Sequence, residues 1–246
     1  MKKILCLVLF LALALSTTLA FAEEPAVMSY EEYAAAAVED EVCVETYVQA
    51  TQSWWDGKIT VYAQSEDGAI FIYNMACAEE DAAKLVAGTK IRVKGFKGEW
   101  SGEVEILEGI FEFADGDPFI AEPEDLTAVF GTDDLVNHMN ELFAIKGAKV
   151  VASKVEGKDG EFPFLYNWDG SGTRDDNGGV GADLYFNVDI NGAVYTLTVE
   201  SYLCGNDTDV YKAVEALQVG DVIDLEGFLY WYNGANPHII AVTPAV

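Results

Sequence analysis

Basic residues are scarce in this chain. Its 246 residues include 14 Lys+Arg against 42 Asp+Glu, a net charge of −28. Clustered cations are what grip phosphate backbones, so a broad phosphate-tracking surface is excluded. There are two histidines and no CxxC, which removes the usual Cys/His zinc frameworks. The sequence has no G-x-S-x-G, no G-x-x-x-x-G-K-[ST] and no G-x-G-x-x-G, so no nucleophile elbow or phosphate-cradling loop is present. With carboxylates this abundant, any pair could be nominated for a hydrolase, and the chain reads as a non-enzyme. Beyond the N-terminus no apolar run reaches the length of a membrane span. What is plentiful is hydrophobic matter: 51% hydrophobic and 12% aromatic, enough for a real core in an exceptionally acidic chain.

Residues 1–22 read as a signal peptide. Lys2 and Lys3 precede an apolar run from Ile4 to Leu15, and Ala20-Phe21-Ala22 forms an A-x-A cleavage site. The expectation is export with cleavage before Glu23 and no membrane span afterwards. Losing the two lysines takes the net charge from −28 to −30. Cys43, Cys77 and Cys204 remain, an odd number with strand-like neighbours around the first two. They read as small buried hydrophobes rather than a disulfide framework.

Internal repetition is the strongest signal. LVAGTKIRVKGF and LQVGDVIDLEGF align Leu85, Gly88, Ile91, Gly95 and Phe96 with Leu217, Gly220, Ile223, Gly227 and Phe228, at a constant offset of 132. DGAIFIYNM and NGAVYTLTV align Gly68 with Gly192 upstream. Each copy follows the order helix, three strands, helix, two strands. In the first copy the strands are expected at 42–51, 58–64, 69–75, 90–96 and 103–113. In the second they fall at 143–154, 183–190, 193–199, 222–229 and 238–242. Ser29 and Glu32 form a capping box for a leading helix, and Thr132 opens the second one. Helices are also expected across 78–88 and 207–220, each stopped by a glycine.

Five strands with a helix between the third and fourth is the order of a five-stranded Greek-key OB-fold barrel. The fold class is therefore mainly β with short helices, as two tandem OB-fold-like barrels. The first occupies 23–113, a linker 114–124, and the second 125–246. In strand order, and in stretches such as SWWDGKITVYAQ and GTKIRVKGF, the chain resembles small exported bacterial OB-fold proteins of unassigned function. That resemblance covers most of the mature chain and implies a fold and a binding role.

Charge patterning gives an independent check. Lys90, Arg92 and Lys94 share one face of the fourth strand, and Glu41 and Glu45 lie on the first. In the second copy the signs exchange, with Asp224 and Glu226 against Lys146 and Lys149. Strands one and four pair in such a barrel, so the stripe reads as cross-strand ion pairs.

The tryptophans fall in equivalent places. Trp54, Trp55 and Trp168 lie between the first and second strands, Trp100 and Trp231 between the fourth and fifth, with Tyr230 and Tyr232 beside Trp231. Those loops frame the groove with which OB-folds take oligonucleotides or oligosaccharides. The seven rings form the candidate ligand-binding set, expected to pair within each copy. With −30 of charge, a neutral glycan or a peptide is the expected ligand and nucleic acid is disfavoured. A single-stranded nucleic-acid binder is the first alternative, and a secreted hydrolase with dispersed carboxylates the second. No cofactor is expected. In the loop YNWDGSGTRDDNGG, Asp169, Asp175, Asp176 and Asn177 could offer oxygen ligands to calcium, although the spacing is not that of an EF-hand.

Overall fold

A computed structural model describes residues 26–155, 157 and 159–245. The expected signal peptide lies outside the described residues. Among them, no helix is long and apolar enough to cross a membrane.

The first unit contains α1 (Tyr30–Ala35), β1 (Glu41–Thr51), β2 (Lys58–Ser65), β3 (Gly68–Ala76), α2 (Glu79–Ala82), β4 (Lys90–Trp100) and β5 (Glu103–Phe113). The second contains β6 (Glu124–Asp125), a 3₁₀ turn (Asp133–His138), β7 (Leu142–Val151), β8 (Leu165–Tyr166), α3 (Asp176–Gly179), β9 (Leu184–Ile190), β10 (Ala193–Val199), α4 (Asp209–Glu215), β11 (Val222–Phe228) and β12 (His238–Pro244). β1, β2, β3, β5 and β4 close into a barrel. β7, β9, β10, β12 and β11 close in the same order, with β7 pairing both β9 and β11. In each barrel the contact between the third and fifth strands is parallel. These are two tandem OB-like barrels.

The repeated glycines mark equivalent constraints. Gly88 and Gly220 both have left-handed backbones, at φ +88° and +99°, which glycine adopts without a Cβ penalty. Each sits just before the fourth strand and donates its N–H to a first-strand valine, Val48 at 2.8 Å and Val150 at 2.9 Å. Gly95 and Gly227 lie at β-bulges against the fifth strand. A Cβ there would come within 2.6 Å of the Leu107 carbonyl oxygen, or 2.4 Å of that of His238.

Inside each barrel alternation fills the core. Leu184, Phe186, Val188 and Ile190 on β9 are buried, as are Ile91 and Val93 on β4. Outside, Glu45 accepts from Lys90 at 2.7 Å and Arg92 at 2.8 Å, and Lys94 reaches Glu41 at 2.9 Å. The second barrel keeps only half of its expected set. Lys146 approaches Asp224 at 3.5 Å, but Lys149 lies opposite Val222 and Glu226 opposite Ala144. A register shift between Ile223 and Leu225 separates that pair. Each exposed pair contributes only about 0–1 kcal/mol, so the stripe fixes register more than stability.

Helices are where sequence overreaches. The Ser29–Glu32 capping box forms, and Thr208 caps α4. The helix expected across 78–88 shrinks to the single turn α2, because Ala78 supplies no side-chain cap. After Thr132 the chain makes a 3₁₀ turn, since the Thr132 hydroxyl donates back to the Val129 carbonyl instead of capping. All three described cysteines are free and buried.

A third apolar cluster joins the barrels, with Tyr62, Phe71, Ala121, Leu142 and Phe228 at its centre. The Tyr62 and Phe228 rings stack with centroids 4.6 Å apart. The Tyr62 hydroxyl lies 2.6 Å from His238 Nδ1 and accepts from the Gln52 amide. The segment 114–124 is part of this junction: the Ala121 N–H donates to Gln49 Oε1 at 2.9 Å, and Phe119 packs beside Tyr47. Burial of each large ring is worth about 1.5–3 kcal/mol.

Gly95→Ala and Gly227→Ala should each destabilise the protein by about 1–3 kcal/mol through the same clash in equivalent bulges. Chemical denaturation of both variants checks this; a loss in one only would mean that the barrels do not share the constraint.

Candidate functional site

A cleft of about 960 Å³ opens on the outer face of β9 and β10. Tyr185 and Asn187 on β9 and Thr196 and Thr198 on β10 line it, the alternate residues of each strand sharing one face, with Glu200 just past the end of β10. One wall is the loop between β11 and β12, with Tyr230, Tyr232, Asn233 and Asn236. Another holds Trp168, from the long connection between β7 and β9. The last ring, Trp100, comes from the other barrel, at the tip of the β4–β5 hairpin. Trp100, Trp168 and Tyr232 are 60%, 71% and 52% exposed, so their faces are open to a ligand.

Backbone contacts hold that hairpin in place. Ser101 and Gly102 turn at φ +53° and +92°. The Ser101 carbonyl accepts from Asn233 N–H at 2.7 Å, and Glu103 Oε2 accepts from Trp231 N–H at 2.8 Å. The Trp231 ring then covers Gly102, where a Cβ would meet it at 2.9 Å. Behind the wall, Tyr230 stacks on His238 at 4.2 Å. The Asn236 amide donates to the Thr196 carbonyl at 3.0 Å, tying the loop to β10.

The seven rings chosen from sequence therefore divide. Trp100, Trp168, Tyr230 and Tyr232 meet in the cleft. Trp54 is half-buried against the first core and donates its indole N–H to the Cys77 carbonyl at 2.9 Å, so it is structural. Trp231 packs against the second core as the pin over Gly102. Trp55 is exposed on the β1–β2 turn and does not line the cleft. Rings were expected to pair within each copy; the cleft instead gathers rings across the two barrels, because the junction sets one hairpin against the other barrel's loop.

The acidic loop uses its side chains internally. Asp169 accepts from Ser171 N–H at 2.9 Å, and Asp176 accepts from the Thr173 N–H and hydroxyl, both at 2.8 Å. The Asn177 amide donates to the Gly181 carbonyl, and Arg174 pairs with Glu215. These are turn and anchoring bonds. Asp169, Asp175 and Asp176 are not among the His, Cys, Asp and Glu side chains that converge in groups of three or more among the described residues.

Electrostatics inside the cleft differ from those of the whole chain. Burial, helped by the neighbouring Asp183 charge, pushes the Glu200 carboxyl up to about 8, so it is largely neutral at pH 7. Burial also lowers His238 to about 3, leaving a neutral imidazole. Asp183, engaged by the Ser201 N–H and hydroxyl, faces the same cleft as Lys154. The lining is near neutral within a strongly anionic protein. None of Asp183, Tyr185, Asn187, Glu200 or His238 was singled out from sequence. The available signal was the period-2 run Thr196, Thr198, Glu200, polar residues on a strand face expected to look outward.

No family model matches the chain, and no curated protein does. Among solved structures it is similar to a murine DNA-binding protein bound to double-stranded DNA, at 8% identity and TM-score 0.37, covering 83% of this chain and 96% of that one. It is also similar to p202 HIN1 in complex with a 12-mer double-stranded DNA, at 12% identity and TM-score 0.35, covering 84% and 91%. A third is a Replication Protein A heterotrimer bound to single-stranded DNA, at 10% identity and TM-score 0.32, covering 87% and 52%. At such TM-scores none of these likenesses establishes what this chain binds.

Each of the three was solved bound to DNA, whereas a neutral glycan or a peptide was expected here and nucleic acid disfavoured; that expectation is withdrawn. Its physical error was to spread a net charge over the whole surface. A ligand meets the local field, and in the cleft burial raises the Glu200 carboxyl to about 8 while Lys154 lines the same cleft as Asp183.

Burial likewise raises Glu103 to about 8 and Glu105 to about 7 at the junction side of β5. An acid whose folded value is raised holds its proton to higher pH when folded than when unfolded. Stability is therefore greatest below the ordinary carboxylate range and is lost as pH rises toward 8. The melting temperature should fall between pH 5 and pH 8.5, and Glu103→Gln should flatten that slope while keeping an acceptor for Trp231. Melts across that range decide; an unchanged slope in the variant would mean that Glu103 is not a source of it.

Proposed function

We propose that the chain is a non-enzymatic binding protein that takes unpaired nucleobases of a single-stranded nucleic acid into the cleft between Trp100, Trp168 and Tyr232. The observation that carries this reading is the convergence of exposed rings from both barrels on one near-neutral, amide-lined cleft. Every base offers a flat face to stack, worth about 1–3 kcal/mol per ring. Asn233, together with the remaining amide hydrogens and lone pairs of Asn187 and Asn236, offers donors and acceptors suited to base edges. The position agrees with the way OB-folds use their inter-strand loops. The solved structures bound to DNA lend the reading company, and a duplex suits this cleft poorly because its bases are already stacked.

Recognition here relies on bases rather than phosphates. Among the described residues Lys154 is the single cation lining the cleft, so few counterions would be released on binding. Such a protein would hold short unpaired stretches and be repelled by long polyanions at low salt. With the leader read as an export signal, it would act outside the cytoplasm, as the resemblance to exported bacterial OB-fold proteins suggests.

Tryptophan fluorescence titration with short single-stranded oligonucleotides should show binding whose log affinity changes with log salt at a slope no steeper than about −1. Trp100→Ala and Trp168→Ala should each weaken binding by about 1–3 kcal/mol and leave melting nearly unchanged, whereas Trp55→Ala should alter neither. Absence of oligonucleotide binding, or affinity unchanged from the parent protein in the Trp100 and Trp168 variants, would overturn the reading.

A further inference from the structure

Away from the cleft, three side chains from separate stretches converge beside the second barrel. Glu124 opens β6, His138 ends the 3₁₀ turn, and Glu141 directly precedes β7. Their ligand atoms all lie within 4.8 Å of one another. His138 Nδ1 is 2.7 Å from Glu141 Oε2 and 3.8 Å from Glu124 Oε2. Two carboxylates thus address the same imidazole nitrogen. One proton on that nitrogen can bridge to Glu141 but leaves Glu124 beyond hydrogen-bond reach. A divalent cation between the three would satisfy all of them at once.

The backbone beneath is already fixed. Asn140 stands at φ +68°, reversing the chain so that His138 and Glu141 meet. Its N–H donates to the Leu229 carbonyl at 2.9 Å, and the Leu229 N–H returns to the Glu141 carbonyl at 3.0 Å. Glu124 is held by the parallel pairing of β6 with β7, opposite Phe143. His138 and Glu141 are about a quarter exposed and Glu124 mostly so, which leaves an open side for water ligands.

We propose that Glu124, His138 and Glu141 form a binding site for a divalent transition-metal ion of the zinc class. Metal–nitrogen and metal–oxygen distances of about 2.0–2.2 Å place neighbouring ligand atoms about 3.3 Å apart, a value that lies between the 2.7 Å and 3.8 Å from His138 Nδ1 to the two carboxylates. An imidazole nitrogen in the set favours zinc over calcium and magnesium, which prefer all-oxygen shells. This is a carboxylate-rich set with open positions, unlike the Cys/His frameworks that the composition excludes. Bound there, the ion would fasten the end of the connecting segment to the second barrel.

Isothermal titration of zinc chloride into the chelator-treated protein, with calcium chloride in parallel, tests the site. One zinc per chain is expected, with His138→Gln and Glu124→Gln each weakening it by at least about tenfold. Glu124 is exposed, so its variant keeps the test independent of folding, and zinc should raise the melting temperature of the parent protein but not of either variant. No zinc binding overturns the proposal, as does equal binding by the variants, the mark of an adventitious ion only on an acidic surface. Calcium binding as tightly as zinc would also overturn it.

Discussion

Everything about the site depends on the contact between Tyr62 of the first barrel and Phe228 and His238 of the second. The Tyr62 and Phe228 rings stack at 4.6 Å and the hydroxyl meets the imidazole at 2.6 Å, all three side chains being buried. A buried imidazole with its value lowered to about 3 stays neutral and keeps that bond over the accessible pH range. Tyr230 stacks on the other side of the same histidine, so the contact that joins the barrels also sets one wall of the cleft. The β4–β5 hairpin is then pinned through Ser101 and Glu103, and Trp100 is delivered to the cleft that Trp168 also lines.

Much of the fold was legible because its signals are local. Strand alternation, the paired glycines and the capping box are read within a few residues, and the expected strands fall within a few positions of those found. Gly95 and Gly227 matched as letters; the bulge explains why neither tolerates a Cβ. Charge pairing was legible in the first barrel and failed for Lys149 and Glu226 because a register slip is invisible in sequence. The helix expected across 78–88 failed for want of a cap.

The site was half legible. Aromatic loops at OB-fold positions are a positional signal, and four of the seven chosen rings do gather. Which rings gather depends on docking between barrels, which no single copy encodes. Trp54 and Trp231 resemble the others in sequence and differ only in what covers them. The amides, Asp183 and Glu200 were missed because an acid at the end of a strand looks like any of the other forty-one acids until burial sets it apart. Net charge misled for the same reason: it averages over a surface, while binding is decided over a few ångströms.

The central claim is that the two barrels behave as one body, since a cleft with a wall from each exists only if they do. Differential scanning calorimetry of the protein tests it most directly. The account predicts one transition whose calorimetric enthalpy equals the van't Hoff value, both barrels melting together. Two resolved transitions, or a calorimetric enthalpy near twice the van't Hoff value, would show barrels that unfold independently and would contradict it.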